Sequence, residues 1–363
     1  MNLSELDTPV LLVDGDAFDR NMERMTSLTT ASDIAWRPHA KAHKSPAVAE
    51  MQMAAGARGI CCAKLGEAEV MAAEGSKDIL ITTPVIGLSK LMRLMQVANQ
   101  ATVSVVADDA SNIEEMSVCA RTAGIRPDVV IEIDVGQGRC GVQPGEAAVQ
   151  LARQVMEADW LTFKGLQGYQ GAIQMTASFA DRKQAATDAL TRLTDTAEQI
   201  RAANIPCDYL TGGGTGTSVI DAAAGGLTEL QPGGYLFMDA RYRTIEWDDG
   251  NSVPFEQSLT VLSSVISKPA DNRCILDMGL KAVSSDGGIP VPMDVPGAAF
   301  KFAGEEHGEL TWENGPCPLA LGDKVRFVPT HCDTTVNLHD RFIVVRGEAV
   351  TDVWDIAARG RLQ

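Results

Sequence analysis

Eight short runs of apolar and β-branched residues recur between residues 34 and about 240, and longer amphipathic stretches separate them. This alternation predicts βαβ units and a parallel sheet. Eight strands close an α/β barrel, so we predict a (β/α)8 TIM-like barrel over residues 14–244. A doubly wound sheet is the alternative, but it would not explain why polar and glycine-rich elements follow so many different strands. The predicted strands are 34–41, 58–62, 78–82, 102–107, 128–134, 163–169, 208–212 and 229–237.

The pattern changes after residue 245 to short alternating runs separated by Gly, Pro, Asn and Asp, without a convincing helical period before the end. It predicts a mainly antiparallel β domain over residues 245–363. The opening run at 9–13 has no obvious place in the barrel, so we expect residues 1–13 to join this domain. A length of 363 residues suits such a barrel plus one smaller domain.

The formal net charge of −17 repels nucleic acid and anionic membranes, so an anionic ligand must be held by local positive groups. No apolar run approaches the roughly 20 residues of a membrane span, and acids stand where a signal peptide would have a basic region. We expect a cytoplasmic protein with neither nucleic acid nor membrane as a partner. Its 8 cysteines lack a framework spacing and should be free thiols.

Two glycine-rich segments stand where α/β barrels bind phosphate, after strand seven and within strand eight. They are residues 211–217 (TGGGTGT) and 232–235 (PGGY). Glycines let backbone N–H groups approach a phosphate, which suits an acidic protein. A tight turn is the ordinary alternative for TGGGTGT.

Lys41 ends the first predicted strand, within residues 37–45 (RPHAKAHKS). A lysine there faces the phosphate site across the barrel mouth, where a partly desolvated amine could form a Schiff base with a cofactor aldehyde. Lys44 is the nearest rival, and a solvated surface lysine is the ordinary alternative.

Arg139 follows the fifth predicted strand, and Tyr169 ends the sixth. The guanidinium could hold the ring oxygen of a cofactor, and the phenol could hydrogen-bond its ring nitrogen. The alternatives are structural roles, in which Arg139 only stabilises its loop and Tyr169 is an ordinary half-buried side chain.

His331, Cys332 and Asp333 place three potential metal ligands in a row. On an extended segment His331 and Asp333 would share one face, and Cys332 would point away. Imidazole plus carboxylate suits manganese or magnesium better than structural zinc, with zinc as the alternative. Two ligands leave open positions for substrate and water, which a catalytic ion requires.

Seven segments, in order along nearly the whole chain, resemble the D-threonine aldolase and D-serine dehydratase family, whose fold is that of alanine racemase. The resemblance implies a pyridoxal 5'-phosphate enzyme in which Lys41 holds the cofactor and Arg139 and Tyr169 contact its ring. It also implies that His331 and Asp333 bind the metal, and that the β domain completes a neighbour's active site in a homodimer. The implied phosphate-binding residues are Gly213, Gly214, Thr215, Gly234 and Tyr235. The segments are TPVLLVD, RPHAKAHKSP, IDVGQGRCGV, GLQGYQG, TGGGTGT, ELQPGGY and THCDTTVNLHD.

The metal-site pattern differs between the branches of the family that this sequence resembles. The dehydratases look to have His-x-Cys there, and the aldolases have His-x-Asp. Here the pattern is His331-Cys332-Asp333, as in the aldolases of D-threonine or 3-hydroxy-D-aspartate. The segments EEHG at 305–308 and VWDIAARGR at 353–361 also look similar to the hydroxyaspartate branch.

Met175 is a departure from the family pattern. In the aldolases a histidine thought to take the β-hydroxyl proton follows the GxQxYxG strand, and Met175 stands in the corresponding stretch. Methionine cannot accept a proton. Water acidified by the cation, His43 or His307 could replace it, or the reaction has changed.

The expected function is that of a lyase that cleaves a D-3-hydroxy amino acid to glycine and an aldehyde, with pyridoxal phosphate and a divalent cation. The alternatives on the same scaffold are a metal-assisted dehydratase, which releases a 2-oxo acid and ammonia, and an amino acid racemase. A pyridoxal-phosphate carrier without enzymatic activity is the alternative from another class. Such carriers lack the second domain, and they would leave His331 and Asp333 unexplained.

Overall fold

The computed structural model describes residues 1–248 and 253–363. Its strands are β1 (Val10–Asp14), β2 (Ala35–Trp36), β3 (Ile60–Cys62), β4 (Asp78–Ile81), β5 (Thr102–Ala107), β6 (Asp128–Glu132), β7 (Thr162–Gly168), β8 (Tyr209–Gly212), β9 (Glu229–Leu230), β10 (Leu259–Ala270), β11 (Arg273–Leu276), β12 (Val291–Pro292), β13 (Ala298–Phe302), β14 (Gly308–Trp312), β15 (Lys324–Val328), β16 (Arg341–Arg346) and β17 (Ala349–Asp355). Its α-helices are α1 (Gly15–Ala31), α2 (Pro46–Ala54), α3 (Leu65–Ala73), α4 (Leu88–Ala98), α5 (Ala110–Ala123), α6 (Glu146–Glu157), α7 (Phe179–Ala202), α8 (Ser218–Ala224) and α9 (Cys332–Val336).

Strands β2 to β9 form one parallel sheet in the order β2-β9-β8-β7-β6-β5-β4-β3. A parallel bridge between His39 and Cys61 joins its first strand to its second just beyond β2. The prediction of an α/β barrel is confirmed, and each of the eight predicted runs overlaps one of these strands.

The first and last barrel strands are shorter than predicted. Regular pairing covers Ala35–Trp36 and Glu229–Leu230 only, because Pro38 and Pro232 follow and a proline has no N–H for the ladder. Lys41 therefore lies on a short 3-10 turn, Ala40–Ala42, rather than on a strand.

The barrel helices begin at residues whose side chains satisfy free backbone N–H groups. Asp109 caps α5 by accepting from the N–H groups of Ser111 and Asn112, and Ser178 caps α7 by accepting from that of Asp181. Their inner faces pack on the outward side chains of the strands, and this core extends around the barrel.

The second sheet has nine strands and is mostly antiparallel. Within it β1 lies between β10, to which it is antiparallel, and β16, to which it is parallel, so the N-terminal strand belongs to the same sheet as the C-terminal ones. Aromatic side chains form a second core between this sheet and the barrel. In this core Phe18 of α1 packs on Trp354 of β17, with ring centroids 5.1 Å apart.

All eight cysteines are free thiols, and seven of them are buried. Within residues 1–248 and 253–363, no helix is both long enough and apolar enough to cross a membrane.

Candidate active site

A cavity of about 580 Å³ opens at the carboxyl ends of the barrel strands, where the segment around α9 closes over them. Active sites of α/β barrels lie at this end. Eight of the ten predicted site residues line it, and Gly213 and Tyr235 are the two that do not. The eight are Lys41, Arg139, Tyr169, Gly214, Thr215, Gly234, His331 and Asp333.

Lys41, Arg139 and Tyr169 form one end of the cavity, which we call the ring end. The Lys41 Nζ lies 5.7 Å from the centroid of the Tyr169 ring, and the Arg139 Cζ lies 5.8 Å from it. Burial by itself lowers the pKa of Lys41, but the nearby Tyr169 and Asp333 outweigh this effect and the pKa is raised overall. Without a cofactor the lysine is therefore a cation held next to a phenol and a carboxylate.

Lys44, the rival lysine, has a structural partner instead. Its ammonium group is buried and forms an ion pair with the buried carboxylate of Glu67. Its backbone has a positive φ of 52°. It is not among the residues that line the cavity.

The two glycine-rich segments meet at one wall of the cavity, which we call the glycine cradle. The Tyr235 N–H donates to Thr215 Oγ1 at 3.0 Å, and this bond ties the second segment to the first. A Cβ on Gly214 would lie 2.7 Å from Gln174 Oε1, so only glycine fits there without a shift. Gly213 has a φ of +70° and lies behind this wall, where a Cβ would meet Asp221 Oδ2 at 2.5 Å.

A buried chain of hydrogen bonds supports the glycine cradle from behind. Gln174 Nε2 donates to Thr217 Oγ1 at 3.1 Å, and that hydroxyl donates to Asp221 Oδ2 at 2.6 Å. Burial raises the pKa of Asp221 to about 7. Because Gln174 precedes Met175, this chain also fixes the loop that carries the methionine.

The Tyr235 side chain points away from the cavity into the aromatic core. Its hydroxyl accepts from Gln52 Nε2 at 3.1 Å, and its ring packs edge-on against Trp36 at 6.0 Å. Only the backbone of Tyr235 is near the cradle.

His331 and Asp333 line the same cavity, and we call the part around them the metal end. The expectation of an extended segment is wrong, because the chain is helical from Cys332 and His331 is the N-cap of α9. Both side chains still line the cavity. His331 Nδ1 lies 2.5 Å from Asp286 Oδ2, and the Cys332 thiol donates to Asp333 Oδ1 at 3.3 Å. In the described chain no three His, Cys, Asp or Glu side chains cluster closely enough to hold a metal ion by themselves.

Asp239 joins the metal end to the barrel. Its Oδ2 accepts from the Cys332 N–H at 3.3 Å, and its Oδ1 accepts from the Tyr242 N–H at 3.0 Å. Burial raises its pKa to about 6. The carboxylate thus positions the turn that begins α9.

Sequence reasoning missed two buried polar side chains that line the cavity, His39 and Glu132. Thr82 Oγ1 donates to Cys62 O at 3.3 Å, so it accepts from His39 Nε2 at 3.0 Å, which leaves Nδ1 of His39 as an acceptor without a partner. Glu132 Oε2 also lacks a partner, and burial raises the pKa of this carboxyl to about 7. Both residues follow or end barrel strands, which was the available signal.

These features fit pyridoxal phosphate. The cavity offers an amine for the aldehyde, a cradle that a Cβ would fill for the phosphate, and orphaned polar atoms for the polar edge of a ring.

Comparisons with known proteins agree with this arrangement. The family model for the N-terminal domain of alanine racemase matches residues 13–241, and the model for a serine dehydratase domain matches residues 258–345. A D-threonine aldolase of Arthrobacter sp. is 43% identical over 99% of this chain and 94% of its own. A 3-hydroxy-D-aspartate aldolase of Paracoccus denitrificans (strain Pd 1222) is 38% identical over the same shares.

The solved structure of a D-threonine aldolase from Filomicrobium marinum has a TM-score of 0.96 to this chain, with 40% identity over 99% of this chain and 98% of the other. Both domains and the whole length are thus shared with these relatives. The chain belongs to the D-threonine aldolase and D-serine dehydratase family of pyridoxal-phosphate-dependent enzymes, whose fold is that of alanine racemase.

Proposed function

We propose that this protein is a lyase that cleaves D-3-hydroxy amino acids, of the D-threonine or 3-hydroxy-D-aspartate type, to glycine and an aldehyde. The observation that carries the proposal is that Lys41 and the pair His331 and Asp333 line one and the same cavity of about 580 Å³. A small amino acid can reach both ends at once. The two relatives that are 43% and 38% identical over nearly the whole chain are aldolases.

At the ring end, Lys41 would hold pyridoxal phosphate through its aldehyde, and Arg139 and Tyr169 would contact the ring. The backbone around Gly213, Gly214, Thr215, Gly234 and Tyr235 would bind the phosphate. When bound, the cofactor supplies an electron sink for the pair released from the broken Cα–Cβ bond. Once a substrate is bound to the cofactor, the amine of Lys41 would be free to move protons.

At the metal end, His331 and Asp333 would hold a divalent cation with open positions for the β-oxygen of the substrate. Imidazole and carboxylate ligands suit manganese or magnesium, and zinc is the alternative. Asp286 fixes the orientation of the His331 ring through Nδ1, as carboxylates beside metal-binding histidines do.

We propose that the acceptor of the β-hydroxyl proton is neither of the two histidines considered from the sequence. His43 is buried and His307 is exposed, and neither lines the cavity. The described imidazole and carboxyl side chains that do line it are, besides the metal pair, His39, Glu132 and Asp239.

We also propose a homodimer and a cytoplasmic location. The resemblance to alanine racemase supports the first, since its relatives complete each active site with a neighbouring β domain. The eight free thiols support the second, since thiols stay reduced in that compartment.

Product analysis tests the activity. The purified protein is loaded with pyridoxal phosphate and manganese, incubated with D-threonine, 3-hydroxy-D-aspartate or D-serine, and followed by NMR. We expect glycine and an aldehyde. A 2-oxo acid with ammonia would instead identify a dehydratase, inversion at Cα a racemase, and no turnover at all a carrier.

Metal removal tests whether the metal end is needed for turnover but not for cofactor binding. A chelator, or His331→Ala, should lower kcat about 100-fold while the visible absorbance of the bound cofactor persists. A metal-free enzyme with full activity would contradict the role of the metal end.

A further inference from the structure

Arg241 is a half-buried cation of the cavity to which the roles above give no function. Its backbone N–H donates to Asp239 Oδ1 at 3.1 Å, and its carbonyl accepts from the Thr244 hydroxyl. In the described part of the chain its guanidinium makes neither an ion pair nor a hydrogen bond. A guanidinium withdrawn from water binds anions strongly, and preferably carboxylates or phosphates in a bidentate manner. Arg241 therefore lacks the anion that it is suited to bind.

Backbone bonds place Arg241 at the metal end. The N–H of Ala240 donates to the carbonyl of Pro329 at 2.9 Å, two residues before His331. The segment that carries Arg241 is thus joined directly to the segment that carries the metal pair.

The Arg241 side chain also runs beside the support of the metal pair. Its Cδ lies 3.1 Å from the position that a Cβ on Gly287 would take. Gly287 follows Asp286, whose carboxylate lies 2.5 Å from the His331 ring. Lys41 and Arg139, by contrast, both face the Tyr169 ring.

The two ends of the cavity meet different parts of a substrate, an argument that rests on the proposed function. The α-carboxylate is on the carbon whose amine replaces that of Lys41, so it lies toward the ring end. The substituent on the β carbon shares that carbon with the oxygen at His331 and Asp333, so it lies at the metal end. Among the described residues that line the cavity, Met175 is the one large aliphatic side chain.

We propose that Arg241 binds a carboxylate on the β carbon of the substrate and makes this enzyme selective for acidic D-3-hydroxy amino acids over alkyl ones. The net charge of −17 works against acidic substrates at long range, so a local cation is required to bind them.

Arg241→Met tests this role because it removes the charge and keeps much of the aliphatic chain. We expect kcat/KM for 3-hydroxy-D-aspartate to fall about 30-fold and that for D-threonine to change less than about 3-fold. Arg241→Lys should restore part of the loss, since it restores the charge without the bidentate geometry. The matched control is Arg243→Met, because Arg243 is exposed two positions further on and does not line the cavity.

A binding measurement separates this proposal from the aldolase activity. D-aspartate has the second carboxylate without the β-hydroxyl, and D-alanine has neither. Absorbance titration of the cofactor-loaded wild type should show at least about 10-fold tighter binding of D-aspartate, and Arg241→Met should abolish that difference. The titrations with D-aspartate and D-alanine remain informative even if the wild type cleaves neither hydroxy acid. That result would contradict the proposed function and leave the role of Arg241 to be decided by the titrations. Equal losses for both substrates, or no preference for D-aspartate in the wild type, would overturn the role of Arg241.

Discussion

The two ends of the barrel differ in how their charged side chains are partnered. At the amino ends of the strands, the buried Arg37 guanidinium pairs with Asp78 at 2.8 Å and with Glu229 at 3.0 Å. The hydroxyl groups of Tyr209 and Thr211 donate to the same Glu229 oxygen. One oxygen of this carboxylate thus accepts three bonds, although the other has no partner.

At the carboxyl ends, cavity-lining residues keep polar groups without partners. His39 Nδ1 and Glu132 Oε2 are buried and unbonded. The Arg241 guanidinium is unpaired within the described residues. Leaving such groups unsatisfied costs free energy, and in a cavity a ligand can provide the missing partners.

The same eight strands therefore carry paired charged groups that stabilise the fold at their amino ends. At their carboxyl ends they carry polar groups that a ligand can bind. In α/β barrels, residues at the amino ends of strands serve stability and residues at the carboxyl ends serve function. Substitutions at the two ends should accordingly separate stability from activity.

The largest expected effect is on activity, from Lys41→Ala at the carboxyl end. We expect kcat to fall at least about 1,000-fold, because the amine that holds the cofactor and moves protons is lost. The free energy of unfolding of the cofactor-free protein should change by less than about 1 kcal/mol, since Lys41 opens into the cavity. Initial rates of glycine formation and urea unfolding measure the two quantities.

Lys44→Met is the matched control for Lys41. It leaves the buried Glu67 carboxylate without its cation, so the unfolding free energy should fall by about 3–5 kcal/mol. The folded enzyme should keep its activity within about 10-fold. If Lys44→Met kept its full stability but lost its activity, Lys44 rather than Lys41 would be the lysine that holds the cofactor.

The next effect is on stability, from Arg37→Met at the amino end. The substitution leaves Asp78 and Glu229 without their cation, so the unfolding free energy should fall by about 3–5 kcal/mol. The kcat/KM of the folded fraction should stay within about 3-fold of the wild type. Arg20→Met breaks the exposed pair with Glu256 and should cost at most about 1 kcal/mol in the same urea experiment. A large loss of activity without loss of stability in Arg37→Met would break the distinction between the two ends.

The barrel itself could be predicted from the sequence because each strand repeats the same local signal. Runs such as Thr102–Ala107, rich in valine, form buried parallel strands in almost any context. The glycine cradle was also predictable, since a Cβ at Gly216 would lie 2.0 Å from the backbone oxygen of Gln174 and glycine avoids this clash. Proline explains the one systematic error, as Pro38 and Pro232 end the first and last strands early.

Features that depend on distant contacts could not be predicted. Helix α9 replaces the expected extended segment because its first N–H, that of Cys332, bonds to Asp239, 93 residues away. The inward turn of the Tyr235 side chain depends on Gln52 in the same way. The sequence pattern also does not reveal that His39 and Glu132 have atoms without hydrogen-bond partners, because only the folded structure shows which groups surround these side chains.

A smaller effect concerns pH and the carboxyl end. Burial raises the pKa of Glu132 from 4.5 to about 7, so the folded protein holds a proton that the unfolded chain has released. Stability from this group is complete below about pH 4.5 and is lost as the pH rises through 7, by up to about 3 kcal/mol.

Glu132→Gln should therefore flatten the decline in unfolding free energy of the cofactor-free protein between pH 5 and 8. Asp221, whose pKa burial also raises to about 7, titrates in both proteins, so the slope is reduced rather than abolished. Urea unfolding at several pH values measures it, with the exposed Glu114→Gln as the control. An unchanged slope would mean that Glu132 is ionised in the folded protein.

The smallest effect is expected for Tyr235→Phe, which tests whether the Tyr235 side chain belongs to the aromatic core or to the cofactor site. The hydroxyl bonds Gln52 inside the aromatic core, so its removal should lower the unfolding free energy by about 1 kcal/mol. The Kd for pyridoxal phosphate should change less than about 2-fold, because only the backbone of Tyr235 lies near the cradle. Thr215→Val removes the hydroxyl that accepts from the Tyr235 N–H and lines the cavity, and it should raise that Kd about 10-fold. If fluorescence titration gave equal losses for both variants, the Tyr235 side chain would have to belong to the cofactor site, and the aromatic core would not be separate from it.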